Sequence, residues 1–307
     1  MSILPSLKKI YKKYTPQFIV NTRAARQHKQ LFSDLHNKVL NYLSDLQQNG
    51  AINADEKEVL SYLENHFINP IPYIFTDKYK KNIIKIFYDN KVKLEYVFWN
   101  GKKLYFKSDF VAYDIKRAVI ALMEEQDAAS PHRYLTNSFQ VPNNSVVVDV
   151  GAAEGTFGLD IIERVKKLYL IEADPRWKNA LENTFEPWKD KVEIIYKFAS
   201  DASSNSTISI DDIYKKEGQI DFIKIDVEGA EEKVMKGATS LINHTNRPLK
   251  IVMCTYHNQN DADQFSSLLK QMNFDIHFSD KYILFIYDKN QAPPYLRKGL
   301  IRATLNK

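Results

Sequence analysis

Hydrophobic and polar positions divide the chain into a helical first part and a second part in which strands and helices alternate. Residues 1–70 have helical spacing, and a set of apolar residues about four positions apart predicts one helix face. These residues are Leu31, Leu35, Val39 and Leu43. Asn53 precedes two acidic residues and predicts the cap of a second helix, which Pro70 and Pro72 would follow.

The next segment changes to strand-like composition. Residues 83–88 and 93–98 are rich in β-branched and aromatic side chains. Asn100-Gly101 is a dipeptide typical of two-residue hairpin turns, and strand-like residues 104–106 follow it. We therefore expect a small antiparallel hairpin or three-stranded element, after which residues 111–126 return to helical spacing.

From residue 145 onward, apolar β-branched runs alternate with helical stretches. Five such runs predict buried parallel strands: residues 145–150, 167–171, 192–196, 220–225 and 250–254. Residues 274–278 and 282–287, separated by Asp280-Lys281, predict a tight hairpin whose last strand is antiparallel to the rest.

These patterns predict an α/β fold with a doubly wound, mostly parallel seven-stranded sheet and an antiparallel last strand. An N-terminal helical and β-hairpin region would precede it. We expect residues 1–125 to form this N-terminal region and residues 126–307 to form a ligand-binding domain.

The turn after the first parallel strand predicts a ligand site. Gly151 and Gly155 allow a sharp turn and close approach of the backbone to a ligand. The glycine fingerprint of dinucleotide-binding folds is absent. Asp149 and Glu154 flank the turn; acids there disfavour a pyrophosphate and suit a ligand with an ammonium and a sulfonium group.

Acidic and polar residues follow the next two strands. Glu172, at the tip of the second strand, suits hydrogen bonds to both hydroxyls of a ribose. Asp174, before Pro175, is expected to cap a helix. Ser200 and Asp201, after the third strand, are candidates for contact with adenine.

The formal net charge is +5 at pH 7, and basic residues are concentrated at the two ends. Residues 1–33 carry seven Lys or Arg and residues 289–307 carry five, with no acid in either segment. This pattern indicates solvated tails or a peripheral contact with an anionic membrane surface. No recognisable motif supports a nucleic-acid partner.

Cysteine content and hydropathy bear on where in the cell the protein is located. Cys254 is the only cysteine, so an intramolecular disulfide is excluded. No apolar run reaches the roughly 18 residues that a membrane span needs. We expect a cytoplasmic protein, with a peripheral location at the inner membrane face as an alternative.

Residues 221–231 read DFIKIDVEGAE and resemble the hallmark segment of FkbM-type methyltransferases. The matching first motif at residues 149–152 and the acid Glu172 extend the resemblance over about half of the chain. It implies a Rossmann-like methyltransferase that uses S-adenosylmethionine. It also implies a hydroxyl acceptor on a sugar, polyketide or similar molecule, and we expect a sugar or glycoconjugate hydroxyl.

The carboxyl ends of the fourth and fifth strands supply candidate catalytic residues. Asp226 and Glu228 would share one side if the fourth strand continued, and His257 would meet them from the fifth. Methyl transfer to a hydroxyl requires removal of its proton, so His257 is a candidate base. The same three residues could instead hold a divalent metal, or His257 could serve only as a hydrogen-bonding group. Asp226 is also expected to meet the methionine end of the cofactor.

A polar cluster before the first strand suits the acceptor. Asp127, His132 and Arg133 are the candidates for acceptor binding, unless the segment is only a helix end and a solvated turn. Two other classes of function remain open. One is an NAD-linked oxidoreductase on the same sheet, and the other is a non-catalytic cofactor-binding scaffold.

Overall fold

The computed structural model describes residues 22–288 and 290–307, with side chains from Gln30 onward. The chain begins with helices α1 (Thr22–Gln48), α2 (Ala54–Asn65) and the short α3 (Asp77–Lys80). The predicted cap is confirmed: the Asn53 side chain accepts from the Glu56 amide over 2.9 Å, and the Glu56 carboxylate accepts from the Asn53 amide over 2.9 Å.

The predicted apolar face of the first helix is correct only in its second half. Val39 and Leu43 are fully buried, whereas Leu31 is 65% exposed. Helix α1 has 27 residues and α2 has 12, so α1 is longer by about 22 Å.

A three-stranded meander follows, as the hairpin dipeptide predicted. It consists of β1 (Phe87–Asp89), β2 (Leu94–Trp99) and β3 (Lys102–Tyr105), all antiparallel. Trp99 pairs with Lys102, and the two turn residues Asn100 and Gly101 have φ of 48° and 80°, the geometry that favours this dipeptide. Helix α4 (Ala112–Glu125) then leads to the main sheet.

The remaining strands are β4 (Val146–Val150), β5 (Lys167–Ile171), β6 (Val192–Ile195), β7 (Phe198–Ala199), β8 (Thr207–Ile208), β9 (Phe222–Ile225), β10 (Leu249–Cys254), β11 (Asp275–Phe278), β12 (Tyr282–Ile283), β13 (Arg297–Lys298) and β14 (Leu300–Leu305). The main sheet has seven strands in the order β11-β14-β10-β9-β4-β5-β6, and only β14 is antiparallel to its neighbours. The predicted fold class is confirmed. Each face of the sheet has its own buried apolar cluster.

The helices that cover the sheet are α5 (Thr156–Ile161), α6 (Lys178–Phe185), α7 (Ile210–Glu217), α8 (Glu231–Lys236), α9 (Thr239–His244) and α10 (Asp261–Gln271). Strand order reverses between β4 and β9, which places a crevice at the carboxyl ends of these two strands. Within the described residues, no helix has both the length and the apolar composition to cross a membrane.

The predicted tight hairpin at the end of the sheet is wrong. Strand β11 pairs with β14, while β12 pairs with β13 in a separate ribbon. The intervening segment instead contacts the N-terminal region: the Leu284 amide donates to the Pro70 carbonyl over 2.9 Å, and Leu284, Tyr295 and Leu296 join the cluster around α1 and α2. These long-range contacts, rather than local alternation, determine which segment becomes the last strand.

The division of the chain between residues 125 and 126 remains a prediction. The inner side of the meander, including Val97 and Leu104, belongs to the same buried cluster as Val147 of β4.

Candidate active site

The loop after β4 passes very close to the end of β9. Gly151 has φ of +77°, and a Cβ atom there would lie 1.8 Å from the carbonyl oxygen of Asp226. Only glycine satisfies both conditions. The first and fourth parallel strands therefore meet tightly at the crevice.

The second glycine of the loop has a packing role. Gly155 has φ of +88° and precedes α5, and a Cβ atom there would lie 2.7 Å from the ring of Phe185. Between the glycines, the carboxylate of Glu154 accepts from the Thr156 hydroxyl over 2.8 Å. Burial raises the pKa of Glu154 above its ordinary value.

Glu172 follows β5 and faces this loop. Its two carboxylate oxygens accept from the amides of Ala153 and Asp174, over 2.8 Å and 2.7 Å. Burial raises the pKa of Glu172, although both amide donors oppose the shift. Two fixed hydrogen bonds orient the carboxylate and leave it lone pairs for further donors, such as ribose hydroxyls. Asp174 caps the short helical turn that begins at Pro175, as predicted.

Asp149 lies beneath the loop rather than in the crevice. Its side chain is completely buried, and Lys224 Nζ lies 3.0 Å from its Oδ1 atom. Lys224 also donates to the Gly151 carbonyl over 2.7 Å. Asp149 therefore supports the loop through Lys224. Its buried position does not favour the predicted direct contact with a cofactor.

Asp226, directly after β9, is the centre of a cluster of polar side chains. The Tyr134 hydroxyl donates to its Oδ2 atom over 2.7 Å. His257 Nε2 lies 3.6 Å from Oδ1, and His132 Nε2 lies 3.7 Å from Oδ2. Burial alone raises the pKa of Asp226, but Lys224 and the two histidines outweigh it and hold that pKa below its ordinary value. Asp226 thus remains ionised.

His257 is held by a carboxylate on its other side. Its Nδ1–H donates to Glu231 Oε1 over 2.7 Å, and both side chains are buried. Glu231 is the first residue of α8 and also accepts from the Val227 amide over 3.2 Å. Burial lowers the pKa of His257, but the hydrogen bond to Glu231 and the nearby negative charges raise it above its ordinary value.

The condition under which Asp226 and Glu228 would share one side is not met, because β9 ends at Ile225. Glu228 has φ of +55° and is exposed. The carboxylate that contacts His257 Nδ1 is that of Glu231. The sequence signal was weak: Glu231 is one of two consecutive acids at a helix start, and nothing local distinguishes them.

His132 lies on the opposite side of Asp226 from His257. Its Nε2 atom is 2.9 Å from the Tyr256 hydroxyl and 3.7 Å from the Cys254 sulfur. Burial lowers the pKa of His132 to about 4, so the ring is neutral near pH 7. Sequence reasoning missed Tyr134 and Tyr256 as site residues. Their only signal was position, two residues after His132 and one before His257.

The structure separates the three predicted acceptor-binding residues. The Asp127 carboxylate contacts Lys78 and the Tyr79 hydroxyl, away from the cluster around Asp226. Arg133 lines a cleft of about 220 Å³ beside α5. Only His132 reaches Asp226, so the three residues do not form one pocket.

Ser200 and Asp201 follow β7. The Ser200 hydroxyl donates to Asp201 Oδ1 over 2.9 Å, and this bond holds the pKa of Asp201 below its ordinary value. The Ser200 carbonyl lies against Gly237, where a Cβ atom would be 2.1 Å away. Their contact with adenine remains a prediction.

Among the described residues, two sets of side chains could hold a metal ion, each with its ligand atoms within 4.8 Å of one another. One set is Asp226, Glu231 and His257, and the other is His132, Asp226 and Cys254. The first resembles the predicted metal set, with Glu231 in place of Glu228. Because His257 Nδ1 already donates to Glu231, an ion would bind at Nε2 and Asp226, with Glu231 orienting the ring.

The fold and the site define a methyltransferase. Residues 65–276, more than half of the chain, match the Methyltransferase FkbM domain. The chain belongs to the FkbM methyltransferase family, as residues 221–231 indicated, and this decides against the NAD-linked oxidoreductase. Among curated proteins, none matches the sequence.

Comparison with solved structures gives matches at low identity and low TM-score. Methyltransferase FkbM from Methylobacillus flagellatus aligns with 63% of this chain and 55% of its own, at 17% identity and a TM-score of 0.44. A putative transferase from Pyrococcus horikoshii aligns with 70% and 72%, at 16% identity and a TM-score of 0.41. A putative methyltransferase from Streptococcus mutans in complex with SAH aligns with 54% and 91%, at 12% identity and a TM-score of 0.36. Similarity at these levels concerns the fold alone.

Proposed function

We propose that this protein is an S-adenosylmethionine-dependent O-methyltransferase that methylates a hydroxyl of a sugar or glycoconjugate in the cytoplasm. The observation that carries the proposal is the arrangement of His257. One ring nitrogen is fixed by the buried Glu231, and the other faces Asp226 across 3.6 Å. This is the arrangement expected of an oriented proton acceptor.

The residues at the crevice fit S-adenosylmethionine better than a pyrophosphate cofactor. Glu172 presents an oriented carboxylate for ribose hydroxyls, and Asp226 keeps a negative charge that suits an ammonium group. Lys224 is paired with the buried Asp149 and is not available to a phosphate. When bound, S-adenosylmethionine supplies a methyl group activated by positively charged sulfur.

Residues of this chain would remove the proton of the acceptor hydroxyl. An acceptor hydroxyl bound beside Asp226 can donate to His257 Nε2, and the proton ends on that atom as the oxygen is methylated. Glu231 and Asp226 then lie on both sides of a positively charged imidazole and stabilise it. The Tyr134 hydroxyl donates to the other carboxylate oxygen of Asp226 and fixes that carboxylate.

A polar cleft next to His257 supports a sugar acceptor. The cleft has a volume of about 230 Å³, and its walls include the side-chain amides of Asn258, Gln259, Asn260 and Gln264. Side-chain amides both donate and accept hydrogen bonds, which matches the hydroxyl groups of a sugar. The Asn258 nitrogen already donates to Asp261, and the Gln259 oxygen accepts from Arg297.

The proposal is tested by methyl transfer from labelled S-adenosylmethionine to a panel of sugars, nucleotide sugars and lipid-linked glycans. We expect His257→Gln to lower kcat about 10²- to 10⁴-fold without changing cofactor affinity. His277→Gln, at an exposed histidine, is the control and should be unchanged. Saturable cofactor binding without turnover on any acceptor would instead favour a non-catalytic scaffold.

A further inference from the structure

The outer side of the β1–β3 meander carries a continuous cluster of aromatic rings. The strand register places Tyr96 between Phe87 and Tyr105, and Phe98 lies on the same side of β2. The ring centroids of Phe87, Tyr96 and Phe98 are 5.4–5.6 Å apart. Tyr105 is buried in the core cluster and Tyr96 packs against it, so Phe87 and Phe98 form the exposed part of the ring cluster.

Large apolar side chains at this surface are well exposed. The exposed fractions are 39% for Phe87 and 54% for Phe98. Tyr88, on the other side of the edge strand β1 from Phe87, is 57% exposed, and Ile83, four residues before β1, is 89% exposed. Single exposed apolar residues are common on proteins, but several together on one small element indicate a contact surface.

Lysines surround the aromatic cluster. Four of them are exposed and have no ion-pair partner among the described residues: Lys81, Lys85, Lys91 and Lys93. Another, Lys103, lies 4.6 Å from the centre of the Tyr96 ring and pairs with Asp89. The surface therefore combines apolar rings with unneutralised positive charge.

We propose that this meander surface, formed by Ile83, Phe87, Tyr88 and Phe98 with the lysines around them, binds an anionic phospholipid membrane. Aromatic rings are favoured at the interface between lipid and water, and lysines are attracted to anionic headgroups.

The ring geometry favours lipid over nucleic acid. Base stacking needs exposed ring faces, whereas the rings of Phe87 and Tyr96 stack on each other, with centroids 5.4 Å apart and planes at 24°. Ile83, the most exposed apolar residue here, offers no surface for stacking a base.

The proposal differs from a contact through the basic chain ends. Residues 1–21 lie outside the described residues. At the other end, Arg297 is buried and donates to the Tyr256 and His257 carbonyls, and Arg302 donates to the carbonyl of Arg133. These two arginines have internal partners, whereas the meander lysines face outward.

The test is flotation of the full chain with vesicles of phosphatidylglycerol and phosphatidylcholine, compared with phosphatidylcholine alone, at low salt. We expect binding only to the anionic vesicles. The triple variant Lys85→Gln, Lys91→Gln and Lys93→Gln should weaken binding about 100-fold. Its control is Lys166→Gln, Lys233→Gln and Lys270→Gln, which removes the same charge from other exposed elements and should change binding less than twofold.

A second pair of variants tests the apolar side chains. Ile83→Ser, Tyr88→Ser and Phe98→Ser should weaken binding about tenfold or more. The matched control is Ile74→Ser, Phe67→Ser and Tyr113→Ser, which have similar exposure. Circular dichroism confirms that each variant is folded. Equal losses in variants and controls, no binding to anionic vesicles, or binding only to single-stranded RNA would each overturn the proposal.

Discussion

The Nδ1 atom of His257 lies 2.7 Å from a carboxylate oxygen of Glu231, and both residues are buried. A carboxylate only accepts hydrogen bonds near pH 7, so Nδ1 carries the hydrogen and Nε2 keeps its lone pair when the ring is neutral. Nε2 is the atom that faces Asp226. The ability of His257 to take a proton in the crevice therefore depends on Glu231.

The rate should rise with pH through the pKa of His257. The ring accepts a proton only when it is neutral, so activity is low below this pKa and full above it. Because the pKa of His257 is raised, the midpoint should lie above the ordinary value of about 6.5. Measurement of kcat/KM between about pH 5 and about pH 10 locates this midpoint. A midpoint below the ordinary value would contradict it.

Glu231→Gln should change both the midpoint and the rate. Removing the negative charge removes the main factor that raises the pKa of His257, so the midpoint should move to lower pH. A less well oriented ring should lower the plateau rate about 10- to 100-fold. Glu232→Gln is the control, since Glu232 is exposed and pairs with Lys236. A lower rate with an unchanged midpoint would mean that Glu231 is only structural.

Substitution of Gly151 tests the close approach of the loop to β9. Gly151→Ala should displace the loop or the Asp226 backbone and abolish cofactor binding, because the new Cβ would meet the carbonyl at 1.8 Å. Gly218→Ala is the control, with φ of +73° but nothing within 4 Å. It should cost only about 1 kcal/mol of unfolding free energy. Calorimetry measures cofactor binding, and denaturant unfolding measures the free energy of unfolding. Equal effects of the two substitutions would contradict a specific role for the close approach of Gly151 to Asp226.

The buried pair of Asp149 and Lys224 predicts a non-additive effect on stability. Lys224→Met leaves the Asp149 carboxylate buried without a counter-charge and should lower the free energy of unfolding by about 3–5 kcal/mol. Adding Asp149→Asn to this variant should recover part of the loss, because the carboxylate that lost its counter-charge is then replaced by a neutral amide. Urea unfolding of the single and double variants measures the difference. A double variant less stable than Lys224→Met would contradict the pairing.

A metal test separates the two chemical roles of the cluster. If His257 takes the proton, its Nε2 lone pair must be free, so turnover should be unchanged by EDTA. If Asp226 and His257 hold a divalent ion, EDTA should abolish turnover and Mn²⁺ should restore it. His257→Gln would then also lose metal, measured by elemental analysis of the purified protein.

Sequence patterns predicted the parts of the fold that depend on local order. The β4 run from Val146 to Val150 is buried at every position, so its hydrophobic composition was sufficient. The hairpin at Asn100 and Gly101 follows from backbone conformation alone. The last strand was missed because residues 282–287 are held by contacts with the N-terminal helices, more than 200 residues earlier in sequence.

The candidate site was predictable where it depends on strand ends. Asp226 and His257 follow neighbouring parallel strands, so their approach could be expected from topology. Glu231 was missed because it lies on the helix after β9, and only the tertiary fold brings its side chain to His257. Tyr134 lies in an irregular segment with no periodic pattern, and its contact with Asp226 is purely tertiary.

We propose that Glu172 and the loop from Gly151 to Gly155 bind S-adenosylmethionine. Calorimetric titration with this compound, and with NAD in parallel, tests it most directly. We expect micromolar binding of S-adenosylmethionine, about 100-fold weaker in Glu172→Gln because charge-assisted hydrogen bonds to the ribose are lost. The exposed control Glu186→Gln should leave it unchanged. No binding, equal binding to Glu172→Gln, or preference for NAD would contradict the account.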